Sequence, residues 1–183
     1  MNSYLESATK QFKYYKSLAD KTFDQLTERE LIWRMSPDAN SISIIVKHMV
    51  GNMLSRWTNF LTEDGEKDWR DRDSEFEDFY KTRDELIKAW EIGWSCLFIA
   101  LEKLSSKDLE KLVYIRNQGH TVTEAINRQL AHYSYHVGQI VFLGTLIKGS
   151  EWKSLSIPKG GSKSYNDQKF NNEKGRSHFT DDL

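Results

Sequence analysis

The chain has 183 residues, with 26 basic and 27 acidic side chains and a formal net charge of −1. That balance excludes the concentrated positive charge that a nucleic-acid binder needs, and the longest apolar run, 93–101 (GWSCLFIAL), is too short to span a bilayer. A single cysteine, Cys96, excludes an internal disulfide framework. With an N-terminal stretch that lacks a secretory pattern, it leads to the expectation of a reducing, cytoplasmic setting.

In chain order, the first helical segment runs from about Ser3 to Leu26, with Leu5, Phe12, Tyr15, Ala19, Phe23 and Leu26 at helical spacing. MSPDANS, around Pro37, reads as a loop. A second helix is expected from Ser41–Ser43 to about Leu61, and TEDGEKDWRDRDSEFE reads as a charged connection. A third helix is expected from about Glu75 to Leu104, on the spacing of Phe79, Leu86, Trp90, Leu97, Leu101 and Leu104. Leu112–Arg116 reads as a short extended piece, a possible hairpin strand. Thr121 and Glu124 form a capping-box pattern that opens the last helix, which runs to Lys148 and stops at Gly149. The expectation is therefore an all-α four-helix bundle over residues 1–157, with a small extended segment before the last helix and a polar, mobile tail over 158–183.

The last helix carries His132 and His136 four residues apart, so both imidazoles project from one face and can converge on one metal ion. They lie on a polar strip beside the core stripe of Ile126, Leu130, Val137 and Val141. The second helix divides in the same way. Val46, Met49, Met53, Trp57 and Phe60 form an apolar arc, while His48 aligns with Ile44, Asn52, Ser55 and Asn59. Facing the two strips gives a polar cavity with three imidazoles, enough to hold a divalent metal with open positions left over. Asn52, Ser55, Gln129 and Tyr135 are candidates to orient the ligands or a bound water, and Arg56 and Arg128 flank the strips. The competing reading of an i, i+4 histidine pair is an ordinary polar or capping feature. Neither strip carries an acidic general base.

His132-Tyr-Ser-Tyr-His136-Val-Gly138-Gln139-Ile140 resembles the C-terminal signature of DinB/YfiT-like proteins, and SIIVKHMVGN around His48 resembles their second-helix histidine motif. The resemblance extends from the first helix to about residue 149, and WKSLSIPKG (152–160) resembles an uncharacterised branch of that superfamily. It implies a four-helix bundle, commonly dimeric, with His48, His132 and His136 as ligands of a divalent metal (zinc, nickel, manganese or iron) and with Gly138 allowing a neighbouring helix to approach. It further implies a metal-dependent enzyme in which the metal activates a low-molecular-weight thiol or a water against a small-molecule substrate, as in thiol S-transferases or hydrolases. The alternative is a non-catalytic, stress-related or interaction protein with a structural metal.

Other polar residues read more plainly. Cys96 is expected to be a buried, inert thiol, His120 a loop residue, His178 an exposed tail residue, and Trp57, Trp90 and Trp94 core. The Met- and Trp-rich arc of the second helix is a possible dimer face.

Overall fold

The computed structural model describes residues 3–77 and 79–181. Among them are six α-helices and one two-stranded antiparallel sheet. The elements are α1 (Ser3–Phe23), α2 (Glu28–Leu31), α3 (Ile42–Trp57), α4 (Arg83–Glu102), β1 (Leu112–Ile115), β2 (Gln118–Thr121), α5 (Val122–Lys148) and α6 (Ser162–Phe170). No helix of the described residues is long and apolar enough to cross a membrane. The all-α expectation holds.

The four long helices share one core. Helix α1 packs on α5 and α4, and α3 packs on α4 and α5, which closes a ring. Phe12 sits at its centre, with no exposed surface, and its ring meets Trp57, Trp94 and Tyr133 at centroid distances of 6.3, 6.3 and 5.9 Å. These partners come from α3, α4 and α5, so a single aromatic cluster ties all four helices together. Tyr133 is fully buried; its hydroxyl donates to Asn52 Oδ1 at 3.0 Å and accepts from Trp57 Nε1 at 3.1 Å. That pairing removes the cost of burying a polar tip. Gly93 lets α4 approach α3 closely: a Cβ there would lie 3.1 Å from Met53 Sδ and 3.4 Å from Val50 Cα.

Helix ends follow local chemistry. Thr121 and Glu124 form the expected capping box, and α5 ends at Gly149, whose φ of 52° is the left-handed conformation that glycine adopts freely. The extended piece after α4 is indeed half of a hairpin. Leu112 pairs with Thr121 and Ile115 with Gln118, around a turn in which Arg116 and Asn117 both have positive φ. The Asp64 carboxylate accepts from both turn amides at 2.8 Å and so fastens the 58–82 connection to the hairpin.

The elements differ from the sequence reading at several points, and the first helix stops at Phe23 rather than about Leu26. The short helix α2 is an addition, built on a Thr27–Glu30 capping box. Helix α3 ends at Trp57 rather than Leu61. Helix α4 begins at Arg83, not Glu75, because Thr82 caps it by accepting from the Glu85 amide at 3.2 Å. Residues 74–76 instead form one 3₁₀ turn against α3. Met49, Met53 and Trp57 are wholly inside, so the arc of α3 is not a free surface. After α5, Trp152 lies beside Gly144, α6 is exposed, and residues 178–181 lie along α1 through Ser7–His178 (3.1 Å) and Lys10–Asp181 (2.6 Å). His178 is thus half-buried rather than exposed, since Ser7 and Thr180 both reach its ring.

Candidate metal centre

His48 projects from α3, and His132 and His136 from α5, at the place where those two helices face one another. One ligand atom from each of the three lies within 4.8 Å of the others. His48 Nε2 is 3.4 Å from His132 Nε2, which is 3.1 Å from His136 Nε2. Nitrogens bound tetrahedrally at about 2.05 Å from zinc would lie roughly 3.3 Å apart. The donor set therefore fits a divalent ion at its centre.

The outer ring nitrogens fix the tautomers. His48 Nδ1 lies 2.9 Å from Glu75 Oε2, a carboxylate that can only accept, so the proton sits on Nδ1 and Nε2 offers a lone pair. His136 Nδ1 likewise faces the Gln139 carbonyl oxygen at 2.8 Å. Burial, reinforced by the neighbouring His136 and His48, pushes the His132 pKa down to about 3. Burial lowers that of His136 as well. Both stay neutral at physiological pH, as metal ligands must.

Glu75 is the residue that sequence reasoning missed. It enters from the 3₁₀ turn, is buried, and accepts from Arg70 through Nε (2.8 Å) and Nη2 (3.0 Å) while accepting from His48. Burial alone would raise its pKa, but the hydrogen bonds from His48 and Arg70 outweigh that and hold the carboxyl below its usual range. A carboxylate on the outer nitrogen of a metal-binding histidine fixes its orientation and raises its basicity. Gly51, one turn past His48, makes room for it, because a Cβ there would overlap the Glu75 carboxylate. A glycine inside a helix costs about 1 kcal/mol relative to alanine, so Gly51 between His48 and Asn52 was the available signal of a close approach. Phe76 stacks on the His48 ring, at 5.2 Å and 26°. Lys47 Nζ donates to the carbonyls of Ser74 and Glu77, which clips the same turn to α3.

The other residues named from sequence divide. Asn52 serves Tyr133, and Ser55 donates to the Gly65 carbonyl at 2.5 Å. Gln129 is buried, with its Oε1 lacking a partner among the described residues. Tyr135 is exposed, its ring 5.0 Å from that of His136 at the rim of the site. Arg128 donates to His120 Nε2 at 3.2 Å, on β2. Arg56, which flanks the His48 strip, is buried and donates to the Gly65 carbonyl and Glu66, because the 58–82 connection folds over it. Cys96 is half-buried rather than enclosed, 3.6 Å from Thr58 Oγ1. It opens on an apolar groove of about 920 Å³ between the end of α3 and α4, to which none of the three histidines contributes. Gly138 admits no neighbouring helix of this chain, since nothing lies within 4 Å of where its Cβ would be.

A family model described as a protein of unknown function, DUF1572, matches residues 1–161, and the chain belongs to that family. No curated protein matches the chain. No solved structure matches it either.

Proposed function

We infer that this chain is a metal-dependent enzyme of DinB/YfiT-like four-helix-bundle type, with His48, His132 and His136 holding a divalent metal. The observation that carries the reading is the convergence of three imidazole nitrogens, 3.4 and 3.1 Å apart, with no fourth ligand in the cluster among the described residues. Structural zinc sites close with four protein ligands, whereas catalytic ones keep a position open. The partial exposure of His132 and His136 supports the open form. A metal bound there would lower the pKa of a thiol or water and supply a nucleophile at neutral pH. Imidazole donors suit zinc, nickel and iron alike, whereas manganese prefers oxygen donors.

The chain's own residues supply orientation. Glu75 holds the proton on His48 Nδ1, and Gln139 does the same for His136. Arg70 keeps Glu75 ionised. No second carboxylate joins the histidines among the described residues, so a hydrolase here would depend on a metal-bound hydroxide rather than on an acidic base of the chain. Phe76 and Tyr135 present aromatic surface beside His48 and His136, suited to the apolar part of a small electrophile.

The rival reading, a structural metal in a non-catalytic protein, predicts metal uptake without turnover. Purified protein loaded with zinc, nickel or manganese is to be assayed against a panel of low-molecular-weight thiols and electrophiles. Thiol-dependent turnover that is lost in His132→Ala supports the enzyme. No turnover, with His132→Ala lowering only the thermal stability of the loaded protein, supports the rival. A protein that takes up none of the three metals removes the site altogether.

A further inference from the structure

The apolar groove between the end of α3 and α4 has a volume of about 920 Å³. Small-molecule sites ordinarily occupy about 300–1,000 Å³. Its α4 wall is one continuous helix face, on which Lys88, Ile92, Ser95, Ile99 and Lys103 are all exposed. Ile92 is 50% and Ile99 52% exposed. Surface helix faces are ordinarily polar, and contiguous exposed apolar surface marks a contact site. Buried Trp57, with the Phe60 ring 4.7 Å away, forms part of the floor, and the half-buried Cys96 lies midway along it.

The charges along this groove are uneven. Glu91 is its only acidic residue; it lies one turn from Lys88 and is also held by Lys16 at 2.6 Å. Asp84, one turn to the other side, lines the neighbouring hollow together with Lys88. Lys103 stands at the opposite end, with no acidic residue of the groove beside it and no ion pair among the described residues. An apolar channel with an uncompensated cation at one end is complementary to a single-chain amphipathic anion. Lysine suits this role as a point charge on a flexible stem.

From Lys103 back to Ile92 the helix rises about 16 Å. With C–C bonds of about 1.5 Å, an extended chain of about twelve carbons and its headgroup match that length. We propose that the groove binds a free straight-chain carboxylate of about twelve carbons, with its headgroup at Lys103 and its alkyl chain running past Ile99 and Cys96 to Ile92.

A second copy of the chain suits the groove less well. Ile92 and Ile99 pair across a two-fold only in the register that sets Lys88 against Lys103. Like charges directly apposed oppose such a contact. The carboxylate site does not depend on a metal, since none of the three histidines lines the groove.

Alkylation of Cys96 by iodoacetamide, followed by mass spectrometry on the full chain with a chelator present, tests the site. Cys96 is the only cysteine, so its rate reports this groove alone. Dodecanoate, kept below its micelle concentration, should slow the reaction saturably. Affinity should rise about two- to fourfold per added methylene from octanoate to dodecanoate. Lys103→Ala should weaken dodecanoate about three- to fivefold, and dodecanol should bind the unaltered chain with a similar deficit. Lys88→Ala should change the affinity by less than about twofold. Ile99→Glu, at an exposed position, should abolish protection with circular dichroism unchanged. No protection by dodecanoate would overturn the proposal, as would equal binding of dodecanol or unchanged affinity in Lys103→Ala. A double mass in solution that Ile99→Glu halves would overturn it too, by making the groove an interface between copies.

Discussion

Replacing Glu75 with glutamine tests whether the buried carboxylate, and not the three imidazoles alone, makes the metal centre. Glutamine keeps the shape but removes the charge, and one of its two terminal atoms becomes a donor. Oε2 accepts from both His48 Nδ1 and Arg70 Nη2, and Oε1 accepts from Arg70 Nε. Whichever way the amide turns, its NH₂ meets an N–H. The less costly orientation leaves the oxygen toward His48 and sets NH₂ against Arg70 Nε. Arg70, whose side chain is 2% exposed, is then left with the Glu66 carboxylate at 3.9 Å as its counter-charge. The loss of a buried charge-assisted partner should cost about 2–3 kcal/mol of stability. His48 also loses the anion that raises the basicity of its Nε2, a change that typically weakens metal binding 10–100-fold, or about 1.4–2.8 kcal/mol. The assay is chelator-competition titration of zinc on protein shown to be folded by circular dichroism, with chemical denaturation of the metal-free form alongside. A folded Glu75→Gln variant that binds zinc within about twofold of the unaltered chain would refute the argument.

Gly51→Ala should weaken the metal by a comparable factor, because its Cβ displaces the same carboxylate. If it binds normally and gains the roughly 1 kcal/mol that alanine offers a helix, then Glu75 does not need that space. Stability of the metal-free protein should fall as pH drops from about 7.5 to 5: below about 6.5 the unfolded chain protonates His132, while the folded chain resists until about 3. The depressed Glu75 carboxyl acts in the same direction at lower pH, through loss of its ion pair. Denaturation midpoints measured across that range should vary less steeply in His132→Ala, and parallel curves would contradict the assignment. Phe12→Ala should destabilise by about 3–5 kcal/mol, since it empties the position where four helices meet; a midpoint shift worth less than about 1 kcal/mol would show that the aromatic cluster repacks around the gap.

The long helices were legible because each buries one stripe, and burial imposes a period on the sequence. Phe12, Ala19 and Phe23 in α1 and Leu86, Trp90, Trp94 and Leu97 in α4 sit where that period requires. Helix α5 was legible to its ends because Thr121, Glu124 and Gly149 satisfy its terminal groups locally. The start of α4 was not. Phe79 has helical spacing to Leu86 but is 64% exposed, and a nearby cap at Thr82 decides where the helix begins.

The same division runs through the site. His132 and His136 share a face by helix geometry, so four residues of spacing are enough to pair them. The alignment of His48 with Asn52 and Ser55 likewise follows from the turn of α3. That His48 reaches His132 across 84 positions depends on α3 packing against α5, which local spacing does not encode. Glu75 and Arg70 are more hidden still. They lie in a connection with no hydrophobic period, and their role exists only because that connection folds back over Gly51 and buries a carboxylate against an imidazole. The sequence by itself determined which faces could carry metal-binding groups, since periodicity is a property of one helix. The tertiary structure alone decided which of those faces meet and which loop residue sets their protonation, since those depend on contacts between segments far apart in the chain.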